Sequence, residues 1–192
     1  NANYGGLSKN VRLHVTEKIY QTLPLYSTLG TTGVYVYARD FDIPGRSATV
    51  VAESQVRNEY DRPRTFTYEV QILERDGKQL ASFASPAQTV APGALAVVKA
   101  SAPVKGLHFW SWGYGYLYDV ATVLKVDGKP VDRVVTRTGF RKTRFAEGKI
   151  LLNDRVIQMK GYAQRTSNEW PAVGLSVPAW LSDFSNDLMV KG

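Results

Sequence analysis

Apolar and polar side chains alternate with a period of two over most of this chain. In Thr65-Phe-Thr-Tyr-Glu-Val-Gln-Ile72, Phe66, Tyr68, Val70 and Ile72 share one face and Thr67, Glu69 and Gln71 the other. That is the pattern of a half-buried strand. Val34–Phe41, Ala48–Val56, Gln79–Phe83, Ala94–Ala100, Tyr116–Val126 and Val131–Thr138 read as further strands. They are separated by Pro44-Gly45, Arg62-Pro63, Asp76-Gly77, Pro92-Gly93 and Asp127-Gly128. An Asp-Gly pair between alternating runs favours a tight hairpin, because both central residues of that turn take positive φ. About seven short strands with turns at this spacing predict a two-sheet antiparallel sandwich. The expected sandwich spans residues 18–139, with Tyr68, Val70, Val97, Val123 and Leu124 in its core or at its margins.

The period changes near the C-terminus. In Ser176–Lys191, Trp180, Leu181, Phe184, Leu188 and Met189 recur at three- and four-residue intervals, with Ser176 placed as a cap, Pro178 in the first turn and Gly192 beyond the end. This predicts one amphipathic helix.

Composition narrows the function classes. The 192 residues are 44% hydrophobic, enough for a real core, and contain no cysteine, which excludes disulfides, thiolate metal sites and cysteine nucleophiles. The net charge of +7 invites a nucleic-acid reading, but the basic residues are spread over Lys9–Arg12, Arg57–Arg64, Lys99–Lys105 and Arg133–Arg144 without a long run or a nucleic-acid motif. Solvated strand faces and loop tips look like this, and no nucleic-acid partner is expected. No apolar run reaches the roughly 20 residues of a membrane span, and no signal peptide is read at the N-terminus. No membrane partner is expected and the compartment stays open, bacterial periplasm or secretion being the nearest guess. The two histidines, His14 and His108, lack acidic neighbours at ligand spacing and read as structural, so no metal or cofactor is expected. Trp112-Gly-Tyr-Gly-Tyr116 lacks the Lys-Ser/Thr sequel of a phosphate loop. The aromatic run Leu107–Tyr118 around it reads either as a carbohydrate-stacking platform or, more plainly, as a loop anchored against the core.

Four stretches carry a resemblance. Tyr116–Arg141 reads as strand, Asp-Gly turn, strand and a Gly139-Phe140-Arg141 exit, which resembles the end of the immunoglobulin-like domain of glycoside hydrolase family 2, the β-galactosidase, β-mannosidase and β-glucuronidase group. Phe109-Trp-Ser-Trp-Gly-Tyr-Gly-Tyr-Leu-Tyr118 matches that family's Leu-Trp-Ser-Pro-Glu-Asn-Pro-Tyr-Leu-Tyr segment at Trp110, Ser111, Tyr116, Leu117 and Tyr118. Glu147–Tyr162 looks like the hairpin by which such enzymes enter their catalytic (β/α)8 barrel. Tyr4–Val15 resembles the last strand region of the preceding jelly-roll sugar-binding domain. The resemblance implies a mainly β fragment. Residues 1–17 end the jelly roll or act as a connector, 18–139 form an immunoglobulin-like β-sandwich, and 140–192 supply the hairpin, first strand and first helix of an incomplete barrel.

It also implies a parent enzyme that hydrolyses β-linked O-glycosidic bonds by a retaining mechanism, β-galactosidase-like, with two carboxyl groups roughly 5–5.5 Å apart on later barrel strands. This fragment would carry neither and be inactive alone. Barrel sites form at the C-terminal ends of strands, so the loop after strand one would bring Gln164, Arg165, Asn168, Glu169 and Trp170 to the sugar. Asn168-Glu169 falls too early in the chain to be the acid/base pair. Where the family carries Asn-Arg-His-Glu, this chain has Ala163-Gln-Arg-Thr166, which implies a divergent subfamily. The expected partners are the remaining domains of the parent glycosidase, its carbohydrate substrate, and a second copy of the chain through residues 145–192. A stand-alone carbohydrate- or protein-binding sandwich using residues 107–118 is the alternative.

Overall fold

The computed structural model describes residues 11, 13–23, 33–159, 161 and 179–191. The chain divides into two compact units, one of Thr16–Gln158 and one of Asn1–Val15 with Met159–Gly192. The first unit begins with β1 (Ile19–Gln21), β2 (Val34–Asp42), β3 (Ser47–Asn58), β4 (Arg64–Leu73), β5 (Gln79–Ala84) and β6 (Gln88–Val90). It continues through β7 (Leu95–Lys105), β8 (Tyr118–Val126) and β9 (Lys129–Thr138) to β10 (Thr143–Ala146), β11 (Lys149–Leu152) and β12 (Arg155–Ile157).

All pairings among the described residues are antiparallel. In one sheet β3 is central, bonded to β1 and β2 along one edge and to β7 along the other. In the second, β4 holds β5 and β6 on one side and β8 on the other, and β9 closes the sheet beyond β8. The core lies between the two inner faces. Phe66, Tyr68, Val70 and Ile72 from β4 meet Val50, Ala52 and Val56 from β3, with Val98 and Ala100 from β7. This is the alternation read from the sequence, realised as an antiparallel β-sandwich.

One expected core residue is displaced. Val97 is 58% exposed while Val98 is fully buried. Leu95-Ala-Val-Val98 is apolar at every position, so composition does not set the phase of the strand. The register with β3 sets it, placing Val98 opposite Ser54 and Val97 opposite Gln55. Tyr68, Val70 and Leu124 are fully buried; Val123, 4% exposed, lies outside the central cluster, on a β8 position paired with Glu69 and Arg133.

A buried polar knot ties the short β1 to both sheets. The Gln21 amide accepts from Ser54 Oγ (2.9 Å) and Thr122 Oγ1 (2.6 Å), and its Nε2 donates to the Thr122 carbonyl (3.1 Å) and Asp132 Oδ2 (3.2 Å). Its backbone N–H also donates to Asp132 Oδ2 (2.8 Å). The Tyr68 hydroxyl joins Ser54 Oγ at 2.7 Å. Every polar group of Gln21's side chain is thus matched inside the sandwich, as burial requires.

The turns follow local chemistry. Asp127 and Gly128 take φ of 51° and 74°, the two left-handed positions of a two-residue hairpin. At Asp76-Gly77 only Gly77 is left-handed (φ 85°), and Gly77 N donates to the Glu74 carbonyl while Glu74 N donates to that of Lys78. That is a longer loop with a bulge, matched by the register shift at Ile72/Leu73.

The expected hairpin 147–162 is instead the second half of a meander that starts at Thr143. β10 pairs with β11 and β11 with β12. Glu147-Gly148 (φ 51° and 67°) and Asn153-Asp154 (φ 49° and 64°) form its two tight turns. The meander belongs to the same compact unit as the sandwich.

The second unit contributes α1 (Ala179–Lys191) among the described residues. Leu181 is buried, whereas Trp180, Phe184, Leu188 and Met189 are exposed. Ser176, Pro178 and most of Tyr4–Val15 lie outside the described residues; Val11, Leu13 and Val15 are exposed and belong to no strand. No described helix is long and apolar enough to cross a membrane.

Candidate functional site

Gln164, Arg165, Asn168, Glu169 and Trp170 all lie outside the described residues. Within them, side-chain chemistry concentrates where the aromatic segment 107–118 meets the exit from β9. Among the described residues no cluster of His, Asp and Glu is grouped to hold a metal ion.

The segment crosses from one sheet to the other between β7 and β8, and its geometry follows from two glycines. Gly113 (φ 74°) allows a tight turn in which Ser111 and Tyr114 exchange backbone hydrogen bonds of 2.9 and 3.0 Å. The turn lifts Trp112 and Tyr114 into solvent, 55% and 47% exposed. Gly139 acts by size alone. A Cβ there would lie 2.9 Å from Trp110 Cβ and 2.9 Å from the Tyr116 carbonyl oxygen. The strand leaving β9 therefore passes directly against the aromatic segment, where only glycine fits.

Close passage creates a joint. Trp110 N–H donates to the Phe140 carbonyl at 2.8 Å, and Phe140 is buried against Tyr118 with ring centroids 5.5 Å apart. The Arg141 guanidinium lies 5.3 Å from the centre of the Trp110 ring, a cation–π distance. The Gly-Phe-Arg exit is thus three separate contacts: room, anchor and cation.

Asn153, from the turn between β11 and β12, completes the joint. Its Nδ2 donates to the Trp110 carbonyl (3.0 Å), and its Oδ1 accepts from Lys142 N–H (3.0 Å). Its own N–H donates back to the Lys142 carbonyl (2.8 Å). Lys142 Nζ also pairs with the Asp154 carboxylate at 2.7 Å.

On the other flank, Arg46 organises a polar stack. Arg46 donates to the carbonyls of Leu107 (3.1 Å) and Gly106 (3.2 Å) and to His108 Nε2 (2.9 Å). Guanidinium has no acceptor, so Nε2 is the bare nitrogen of a neutral ring and Nδ1–H points to the Tyr114 hydroxyl, 2.8 Å away. His108 stacks on Tyr116 at 4.5 Å, and Arg75 covers Tyr116 at 4.8 Å while donating to the Gly115 carbonyl. His108 backbone N–H donates to the Tyr118 hydroxyl at 2.7 Å. Burial pushes the Tyr118 phenol up to about 12, and Tyr68 likewise. The aromatics are thereby held as a packed wall with Trp112 and Tyr114 at its rim.

Arg46 and Arg75 lie 62 and 40 residues from the groups they bind, and no sequence spacing announces them. The basic exit cluster is partly spoken for inside the unit: Arg137 faces Asp119 at 3.9 Å, Arg141 meets Trp110 and Lys142 meets Asp154.

The exit from the last strand of the sandwich is thus locked by a size-restricted glycine to an aromatic crossover, and then to a meander. Residues 34–141 match the profile of glycosyl hydrolases family 2, and the chain belongs to that family. It is 30% identical over 187 residues to a β-glucuronidase of Formosa agariphila, a match covering 97% of this chain and 19% of that protein. A solved β-glucuronidase of glycoside hydrolase family 2 superposes with a TM-score of 0.82 at 28% identity, over 91% of this chain and 18% of that one. A putative β-galactosidase from Bacteroides fragilis follows the same fold, with a TM-score of 0.76 at 24% identity over 91% of this chain and 25% of that one. The chain spans about a fifth of the length of the curated relative it matches.

Proposed function

We propose that this chain is the immunoglobulin-like segment of a β-glucuronidase, a non-catalytic module that holds a sugar-binding domain and a catalytic barrel in register. The observation that carries this is the match to the Formosa agariphila β-glucuronidase across nearly the whole chain. It favours a glucuronide over the galactoside expected from sequence, since the likeness to the putative β-galactosidase is at an identity that speaks for fold only. In the retaining mechanism the two carboxyl groups sit roughly 5–5.5 Å apart on the barrel. The sandwich's part is rigidity: a displacement of about 1 Å at a reacting centre costs on the order of a hundredfold in rate. In this reading residues 140–192 supply the entry hairpin, first strand and first helix of the barrel, with Gln164, Arg165, Asn168, Glu169 and Trp170 at its sugar-facing end.

The test compares the 192-residue chain with the polypeptide translated from the complete reading frame, on nitrophenyl β-glucuronide, β-galactoside and β-mannoside. The short chain is expected to show no turnover above buffer, and the long one to prefer the glucuronide. Turnover by the short chain that Glu169→Gln abolishes, or a long chain preferring another sugar, overturns the reading. A second reading, a sugar-binding sandwich, is favoured by the exposure of Trp112 and Tyr114. It requires that the short chain be retarded in gels containing polysaccharide and that Trp112→Ala remove the retardation.

A further inference from the structure

We propose that the Asn153 side chain is the pin that orients the β10–β12 meander on the sandwich, and that Asn153 is thereby a positioning residue of the parent enzyme. The second half of this statement rests on the glycosidase reading above; the first does not. Two observations carry it. The Asn153 side chain hydrogen-bonds both to the aromatic crossover, at the Trp110 carbonyl, and to the exit segment, at Lys142 N–H. The Trp110 partner is 43 residues away along the chain, so that bond fixes tertiary placement, while the bond to Lys142, beside the Thr143–Leu152 pair, holds the amide to the meander's own ladder. Trp110 is itself immobilised by the Phe140 carbonyl, by the lack of space at Gly139 and by Arg141. The meander is therefore pinned to the most constrained residue of the joint.

An amide is the group this geometry needs. One end must donate to a carbonyl and the other accept from an N–H, and the planar amide of Asn offers both on a short side chain. At φ 49° the backbone is left-handed, a region that Asn tolerates better than other side chains except Gly. Glutamine's extra methylene would carry the amide past both partners. Aspartate keeps the acceptor for Lys142 N–H but sets an oxygen against the Trp110 carbonyl.

Asn153→Gly is the diagnostic substitution, because glycine keeps the turn and removes only the pin. In the 192-residue chain, amide hydrogen exchange at Lys142 is expected to rise about three- to tenfold in Asn153→Gly, as the loss of one net hydrogen bond implies. Asn153→Asp should keep most of the protection there, while amides of β4 and β8 are unchanged in both variants. Unchanged exchange at Lys142 in Asn153→Gly, or an equal rise in β4 and β8, overturns the pin. In the full-length enzyme, Asn153→Gly is expected to lower kcat/KM on nitrophenyl β-glucuronide about tenfold with the melting midpoint unmoved, and Asn153→Asp to recover part of it. A loosened Lys142 with wild-type kcat/KM refutes the positioning role and leaves the pin. A wild-type full-length protein inactive on all three nitrophenyl sugars sinks the glycosidase reading and the positioning role together, while the exchange result still decides the pin.

Discussion

A methyl group at position 139 would sit 2.9 Å from Trp110 Cβ and from the Tyr116 carbonyl oxygen, closer than carbon tolerates. Neither neighbour is the free end of a flexible chain, so the backbone must move. Gly139→Ala is expected to destabilise the sandwich by about 1–3 kcal/mol, read as a lower denaturant midpoint. An unchanged midpoint would mean that the crossover is not fixed there. Gln21 makes a comparable test in the interior: Gln21→Leu fits the space but removes the amide that Ser54, Thr122 and Asp132 share. The expected loss is about 2–3 kcal/mol in the same measurement. The two buried phenols make stability sensitive to alkali. Tyr68 and Tyr118 are raised by burial from 10.0 to about 12. A raised folded pKa means their contribution is whole below about pH 10 and is lost as pH climbs towards 12. Denaturant midpoints taken across that window should fall, and Tyr68→Phe should flatten the fall; a profile as steep in the variant would contradict the assignment.

At the scale of elements, the central cluster of the sandwich has Phe140 as its last member in the chain, and the meander adds Leu152 as its buried residue outside that cluster. A chain ending at Arg141 should therefore still unfold cooperatively with a β-rich spectrum, whereas one ending at Thr138 loses the Phe140 anchor and about 3–5 kcal/mol. Equal stability of the two would displace the anchor from Phe140. The end of β9 at Thr138 was legible in the sequence, where Gly139 follows the last candidate strand of the sandwich. So were β4, whose period of two is unbroken, and the Asp127-Gly128 turn. Legibility failed where pattern carries no phase. Leu95–Val98 is apolar throughout, and only pairing with β3 decides that Val98 turns inward. The three-residue strands β1 and β6 are too short to show a period at all; β1 is held by Gln21 and its ladder to β3, and β6 by its ladder to β4. The start of the meander at Thr143 hides behind Glu147-Gly148, where a non-glycine residue takes a left-handed φ of 51°. Of the joint, Trp110 and the Gly-Phe-Arg exit could be read as anchoring elements, but Arg46, Arg75 and Asn153 bind across 62, 40 and 43 residues, distances at which one sequence carries no pairing signal. The candidate sugar-facing residues Gln164, Arg165, Asn168, Glu169 and Trp170 lie outside the described residues.

For the whole molecule, helix α1 carries Met189 and, in a row at four-residue spacing, Trp180, Phe184 and Leu188 into solvent, an exposure that water disfavours by roughly 25 cal/mol per Å2. The 192-residue chain is expected to self-associate as concentration rises, and a chain ending at Gln158 to stay monomeric, in light scattering. Equal monomeric behaviour of both would remove the helix as an association surface. Gln21 grips β3 through Ser54 and the opposite sheet through Thr122 and Asp132. Tension transmitted along a polypeptide from its N-terminal side reaches the sandwich at β1. A strand of three residues bonded only by its ladder would unzip rung by rung; one knotted to two sheets must break several bonds together. In an optical trap gripping residues 18 and 158, the wild type should yield in one abrupt rupture, and Gln21→Leu in a weak early step followed by the main one.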